Sequence, residues 1–199
     1  MQTSLFGHDA PEIDLAFHCV ERIQLDRESW IDRQPGWVSG HARLFETLRE
    51  AMRWHAQERP MYDRVVAVPR LLSVVPRDGA HPLLDAMSRA LSRRYGEPLS
   101  SIMLALYRDG RDSVAWHADK ELRDQRTSTV AVVSLGSPRK FMVRPAEGGA
   151  SRSWSVGWGD LMVMGGACQR LWHHAVPKQR HAEPRMALMF RIHRPSVRA

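Results

Sequence analysis

His117-Ala118-Asp119, inside the stretch Ser101 to Glu121, is the pairing in this chain with the most chemical reach. If Val114 to Asp119 runs extended, the two-residue period of a strand puts His117 and Asp119 on one face. An imidazole nitrogen and a carboxylate oxygen can there converge on one cation. A histidine from a distant strand would complete a facial triad, which leaves three adjacent positions of an octahedral metal open and suits non-haem Fe(II) oxygenases. On its own His-x-Asp is a weak signal, because a surface hydrogen bond or a helix cap uses the same residues. Candidates for the third ligand lie in Leu171-Trp172-His173-His174-Ala175-Val176. Neighbouring strand residues point to opposite faces, so only one histidine can see the metal: His174 alongside Trp172, or His173 alongside Leu171 and Ala175.

The last strand adds a second constellation. Arg185, Ala187, Met189 and Arg191 point one way, while Met186, Leu188, Phe190 and Ile192 form an apolar layer on the other. Inward arginines are costly unless each meets an anion. The two lie roughly 20 Å apart along the strand at ~3.3 Å per residue, yet their long side chains can approach the two ends of one dicarboxylic acid. Taken alone, pairing with structural acids or a solvent-facing side is the simpler account of them.

The elements that must position these residues divide the chain in two. In the first half, Leu44, Phe45, Leu48 and Met52 fall at helical spacing and predict an amphipathic helix within His41 to Glu58. A second helix starts at Pro82, carries the stripe Leu83, Leu84, Met87 and Leu91, and stops at Gly96. Between them, Met61-Tyr62 flanked by Arg59, Arg64 and Arg70 has the composition of a wedge that enters stacked bases while guanidiniums hold phosphates; a plain β-hairpin with its aromatic tucked inward has it too. After Pro98 the pattern becomes short strands: 102–107, 128–135, 140–144, 160–164, 171–176 and 185–193. Their tight connections argue for a sandwich or jelly roll instead of βαβ units.

The 199 residues suit one domain. No apolar run of about 18 residues and no signal-peptide pattern is present, so we expect a cytoplasmic protein without a membrane partner and, by default, a monomer. Cys19 and Cys168 are far apart without a C-x-x-C pairing, which argues against a disulfide framework or a thiolate zinc site. The net charge of +7 favours a polyanionic partner. Lysine occurs only at Lys120, Lys140 and Lys178, so the charge is carried mainly by arginine, the better fork for phosphate, although a GC-rich genome yields the same bias. At the N-terminus, Gln2 to Phe6 resembles the short peptides that dock on bacterial sliding clamps, and an apolar pair packing on its own domain is the simpler alternative.

Taken in order, these elements resemble the AlkB family of Fe(II)- and 2-oxoglutarate-dependent dioxygenases. The resemblance runs from about Met61 to Arg191 and is carried by Leu106-Tyr107-Arg108-Asp109-Gly110, His117 to Glu121, Val132 to Gly136, Gly159-Asp160, Trp172-x-His174 with Pro177, and Pro184-Arg185 with Phe190-Arg191. It implies an α+β fold: a double-stranded β-helix (jelly-roll) core over about 98–194, with N-terminal helices packed on the sheet and a nucleotide-recognition lid within about 1–97. It further implies that His117, Asp119 and His174 bind Fe(II), that Arg185 grips the distal carboxylate of 2-oxoglutarate, that Arg191 lies near its 1-carboxylate and that Tyr107 hydrogen-bonds it. Glu121 stands where the family carries an acid that reaches a damaged base. Met61-Tyr62 before Val68-Pro69-Arg70 matches a base-displacing finger, and Arg64, Arg70 and the loop around Arg152 are assigned to phosphates. Ala105 and Ala187 depart from the pattern, since asparagines that help fix 2-oxoglutarate are common there, and no aromatic follows Arg70 to stack on a flipped base.

The activity so implied uses O2 and 2-oxoglutarate to demethylate N-alkylated bases such as 1-methyladenine or 3-methylcytosine in DNA, releasing formaldehyde, succinate and CO2. Three rivals stand beside it: the same chemistry on RNA or a protein side chain, a catalytically weakened nucleic-acid-binding member, and a zinc hydrolase, for which no H-E-x-x-H base is present.

Overall fold

The alternation of small and β-branched residues after Pro98 builds two facing sheets, and the cavity between them is the centre of the molecule. The computed structural model describes residues 10–61, 64–76 and 81–193, and among these the side chains of all but 57–68 and Lys120. The first half contributes strands β1 (Glu12–Ile13), β2 (Glu21–Gln24), β3 (Ser29–Gln34) and β4 (Val38–Ser39), helix α1 (His41–Ala51), the pair β5 (His55–Met61) and β6 (Arg64–Val74), and helix α2 (Pro82–Tyr95). The second half adds β7 (Ser101–Tyr107), β8 (Val114–His117), β9 (Val130–Gly136), β10 (Arg139–Pro145), β11 (Arg152–Val156) and β12 (Asp160–Gly166). A short helical turn α3 (Cys168–Leu171), β13 (Trp172–Val176) and β14 (Arg185–Arg191) complete it.

The larger sheet has eight strands in the order β2-β3-β12-β9-β14-β7-β6-β5, and the smaller has four, β11-β10-β13-β8. Facing antiparallel sheets of this kind make a jelly roll, one of the two architectures the strand pattern allows, and the fold is α+β, as the family resemblance implies. β2, β3, β5 and β6 join the same sheet as the second-half strands, so the boundary near residue 97 divides the chain order and not the sheet.

One face of the larger sheet, with Leu104, Val133, Met186, Leu188 and Phe190, packs under α1 and α2. Its other face, with Ala105, Tyr107, Val132 and Ala187, looks toward Phe141, Val143 and Trp172 of the smaller sheet. β14 therefore alternates as expected: Met186, Leu188 and Phe190 are fully buried on the helix side.

Three expectations need correction. The first helix ends at Ala51 instead of reaching Glu58: Met52 turns extended, its N–H bonds to the Leu48 carbonyl, and the indole of Trp54 donates to the Arg49 carbonyl. Residues beyond it are drawn into β5 by pairing with β6, a tertiary contact that overrides local helical preference. Strand β8 stops at His117, not Asp119, because the Asp119 carbonyl accepts the Leu122 N–H and starts a single 3₁₀ turn, Lys120–Leu122. Arg152 opens strand β11 and does not sit in a loop.

Candidate metal and keto-acid site

Two strands of the smaller sheet carry the histidines. His117 and His174 are cross-strand partners on β8 and β13, with ring centroids 4.2 Å apart. The Nδ1 of His117 lies 2.8 Å from the Ala115 carbonyl. A carbonyl only accepts, so this nitrogen carries the proton and Nε2 keeps its lone pair for a metal. His174 lies deep in the cavity, and burial first, then the charge of His117 and of Arg70, hold its pKa well below the usual value. It is thus neutral, the form that ligates.

Asp119 reaches the same point from beyond the strand end. Its N–H donates to the side-chain carbonyl of Gln169 at 2.9 Å, and one carboxylate oxygen meets Arg191 Nη1 at 3.1 Å. Gln169 is 1% exposed and sits on α3, immediately before β13, so one amide ties the Asp119 loop to the segment that delivers His174. Gly166 makes the turn into α3 possible, with φ of +68° and no room for a side chain against the Glu28 carbonyl. The ligand atoms of His117, Asp119 and His174 lie within 4.8 Å of one another, the spacing of donors around one ion. His173, on the opposite face, neighbours Arg144 across the strands and takes no part.

The triad lines a cavity of about 590 Å³ whose other end is strongly cationic. Arg185 is 1% exposed; its Nη2 donates to Ser134 at 2.7 Å, while Nε and Nη1 have no hydrogen-bond partner among the described residues. Burial lowers its pKa from the ordinary arginine value; Tyr107 opposes this while Arg139 and Arg70 push the same way as burial, and an anion here would favour the charged form. Tyr107, 2% exposed, accepts a hydrogen bond from Arg70 at 2.9 Å. These orphaned donors fit a carboxylate, and the His-Asp-His donor set with open positions fits Fe(II).

The remaining expected residues fall in different places. Arg191 lines the cavity between Asp119 and Glu121 Oε2, the latter 3.8 Å away. Glu121 is at the rim, with 74% of its side chain exposed. Arg70, expected at a phosphate, is instead 7% exposed and turned inward to Tyr107. Arg152 is exposed and donates to the Gln24 carbonyl. Tyr62, the side chains of Met61 and Arg64, and Gln2 to Phe6 lie outside the described residues; β5 and β6 pair as far as Met61 and Arg64. Ser134, Gln169 and Arg139 were not foreseen. Alternation with Val130 and Val132 along β9 would have put Ser134 on the cavity face, but no sequence signal marks the other two.

A jelly roll with one His-Asp-His group and an unpaired buried arginine across the cavity is the architecture of a keto-acid-dependent iron oxygenase. A family model described as the 2OG-Fe(II) oxygenase superfamily matches residues 25–195. The chain belongs to that superfamily, within it to the AlkB family, and its cofactors are Fe(II), 2-oxoglutarate and O2.

It is similar to human "Alpha-ketoglutarate-dependent dioxygenase alkB homolog 3", 31% identical over 155 residues that cover 73% of this chain and 52% of that protein. To Arabidopsis thaliana "DNA oxidative demethylase ALKBH2" it is 34% identical over 134 residues, 55% of this chain and 42% of that one. The chain thus spans about half the length of these curated relatives. Among solved structures, that of OsALKBH1 superposes with a TM-score of 0.59 at 14% identity, covering 87% of this chain and 100% of that one, which supports the fold alone. No helix among the described residues is long and apolar enough to cross a membrane.

Proposed function

We propose that the chain oxidatively demethylates N-alkylated bases of the 1-methyladenine and 3-methylcytosine type in DNA, releasing formaldehyde. The observation that carries this reading is the polarity of the cavity between the sheets: a metal-ligand triad beside an exposed acid at the rim, and orphaned guanidinium donors at the far end. Iron and 2-oxoglutarate, when bound, supply the oxidising chemistry, converting O2 and the keto acid to succinate and CO2 while hydroxylating the N-methyl carbon.

The chain's own residues bind and orient. His117, Asp119 and His174 would hold the iron. Arg191, engaging one Asp119 oxygen, leaves the other for the metal. Arg185 and Tyr107 take the distal carboxylate of 2-oxoglutarate. Glu121, exposed beside the triad, meets the exocyclic amine of a base. A methyl group inside a duplex cannot reach the cavity, so the nucleotide is flipped out, and a base that cannot pair correctly is cheaper to flip. Tyr62 is assigned to fill the gap, with Arg64 and Arg152 on the backbone. The net charge of +7 and the similarity to a DNA oxidative demethylase support a nucleic-acid substrate.

The test is a mass-shift and formaldehyde assay on a 1-methyladenine oligodeoxynucleotide, with and without Fe(II) and 2-oxoglutarate, beside methylated RNA and peptide. Turnover of the DNA only with both cofactors is expected. Turnover confined to RNA or peptide would move the substrate, and no succinate from any of them would favour a nucleic-acid-binding member without turnover. Ala105 and Ala187, which leave the cavity floor without amides, keep that second reading in view.

A further inference from the structure

The cationic end of the cavity holds more charge than one buried arginine explains. The guanidinium carbons of Arg70, Arg139 and Arg185 lie 5.8, 5.5 and 5.2 Å from the centre of the Tyr107 ring. Among the described residues no carboxylate forms a salt bridge with any of the three. Arg139 donates both terminal nitrogens to backbone carbonyls, those of Asp109, Asp112 and Pro177, and does not line the cavity, so it is structural. Arg185 and Arg70 are different, because both line the cavity, and among the described residues Nε and Nη1 of Arg185 and Nε of Arg70 have no hydrogen-bond partner there.

The bond between Arg70 and Tyr107 has a directional consequence. A guanidinium can only donate, so Nη1 of Arg70 occupies a lone pair of the phenol oxygen and leaves the phenol's own O–H free to donate elsewhere. Tyr107 is flanked by three guanidiniums, none of which can accept that proton, so an anion in the cavity is a favourable recipient for it. Apart from Ser134, which already accepts from Arg185, the neighbouring floor is apolar: Leu72, Ala105 and Ala187 meet there across β6, β7 and β14.

We propose that Arg70 is a positioning residue for the cosubstrate: it turns the Tyr107 hydroxyl into a donor to the distal carboxylate and adds a second cation beside Arg185, in place of floor amides. This rests on the proposed placement of that carboxylate at Arg185. It takes Arg70 away from the nucleic-acid backbone and makes keto-acid affinity depend on a residue from β6, outside the strands that carry the triad and Arg185.

The experiment is 2-oxoglutarate binding to the full chain loaded with Mn(II) in place of Fe(II), without nucleic acid, by calorimetry. Arg70→Met should weaken binding about ten-fold or more, as expected for loss of a charge-assisted contact, with Mn(II) affinity within two-fold of wild type as the folding control. Arg70→Lys, which keeps the charge, should recover part of the loss. In a Tyr107→Phe background, Arg70→Met should cost markedly less than in wild type, a coupling that a merely structural role would not produce. Unchanged affinity in Arg70→Met with a large loss in Arg185→Met overturns this inference and leaves the carboxylate placement standing. Unchanged affinity in both variants overturns the two together. Weaker binding of methylated oligonucleotide with intact 2-oxoglutarate affinity returns Arg70 to a phosphate and also refutes the proposal.

Discussion

Gln169→Leu isolates the contact that joins the two parts of the triad. In the wild type, the Gln169 carbonyl accepts the Asp119 N–H at 2.9 Å, while the amide nitrogen reaches only the Met164 sulfur at 3.8 Å. Leucine fills a similar volume and gives up little more than that weak sulfur contact, so the main loss is the acceptor. A buried N–H left without a partner costs about 1–3 kcal/mol. That penalty falls on the loop conformation that presents the carboxylate, so metal affinity should drop by about 5- to 150-fold. Mn(II) titration followed by electron paramagnetic resonance measures this directly, and the melting temperature of the metal-free protein separates loop effects from global unfolding. A folded Gln169→Leu protein that binds Mn(II) within two-fold of wild type would refute the argument that this amide positions Asp119.

Other outcomes follow from the same geometry. His174→Ala should abolish iron binding and turnover while His173→Ala keeps most of both; the reverse result in a metal titration would invert the assignment of strand faces. Burial pushes the Cys168 thiol up to about 12, and it donates to the Trp30 carbonyl, whereas Cys19 is exposed. A thiol reagent near pH 8 should therefore label Cys19 quickly and Cys168 only on unfolding, as peptide mass mapping would show. Asp26 is raised by burial but lowered further by the Trp172 indole and by the N–H groups of Glu28 and Ser29, for a net depressed pKa. Its contribution to stability is therefore present above roughly pH 4 and is lost as pH falls through the folded value. The gap in melting temperature between wild type and Asp26→Asn should shrink over that acid range; a gap that widens there would contradict the hydrogen-bond assignment.

The parts of the fold legible in the sequence are those governed by local periodicity. The two faces of β14 and the bounds of α2, from Pro82 to the Gly96 cap, follow from alternation and capping alone. The triad was legible because its residues are chemically rare in combination, although choosing His174 needed the family's pattern as well as the strand period. What stayed hidden depends on partners distant in the chain. β3 carries Asp32 and Gln34 into the interior, which reads as surface until Arg22 and Tyr95 are seen bonding Asp32 and until Gln34 is seen reaching Asp14. Arg70 reads as a phosphate contact for the same reason: an arginine's charge is visible in sequence, but the phenol it turns toward is not. The convergence of Asp119 with His117 was expected from strand period, whereas the chain achieves it through a loop held by Gln169.

β14 divides its residues between two environments that answer to different demands. Met186, Leu188 and Phe190 anchor the packing under the helices, and Arg185, Ala187, Met189 and Arg191 look only into the cavity. Changes on the odd-numbered side can therefore retune what the cavity accepts without loosening the scaffold, and changes on the even-numbered side should do the opposite. A lineage built on such a strand can explore new ligands one residue in two, with its thermal tolerance left largely intact.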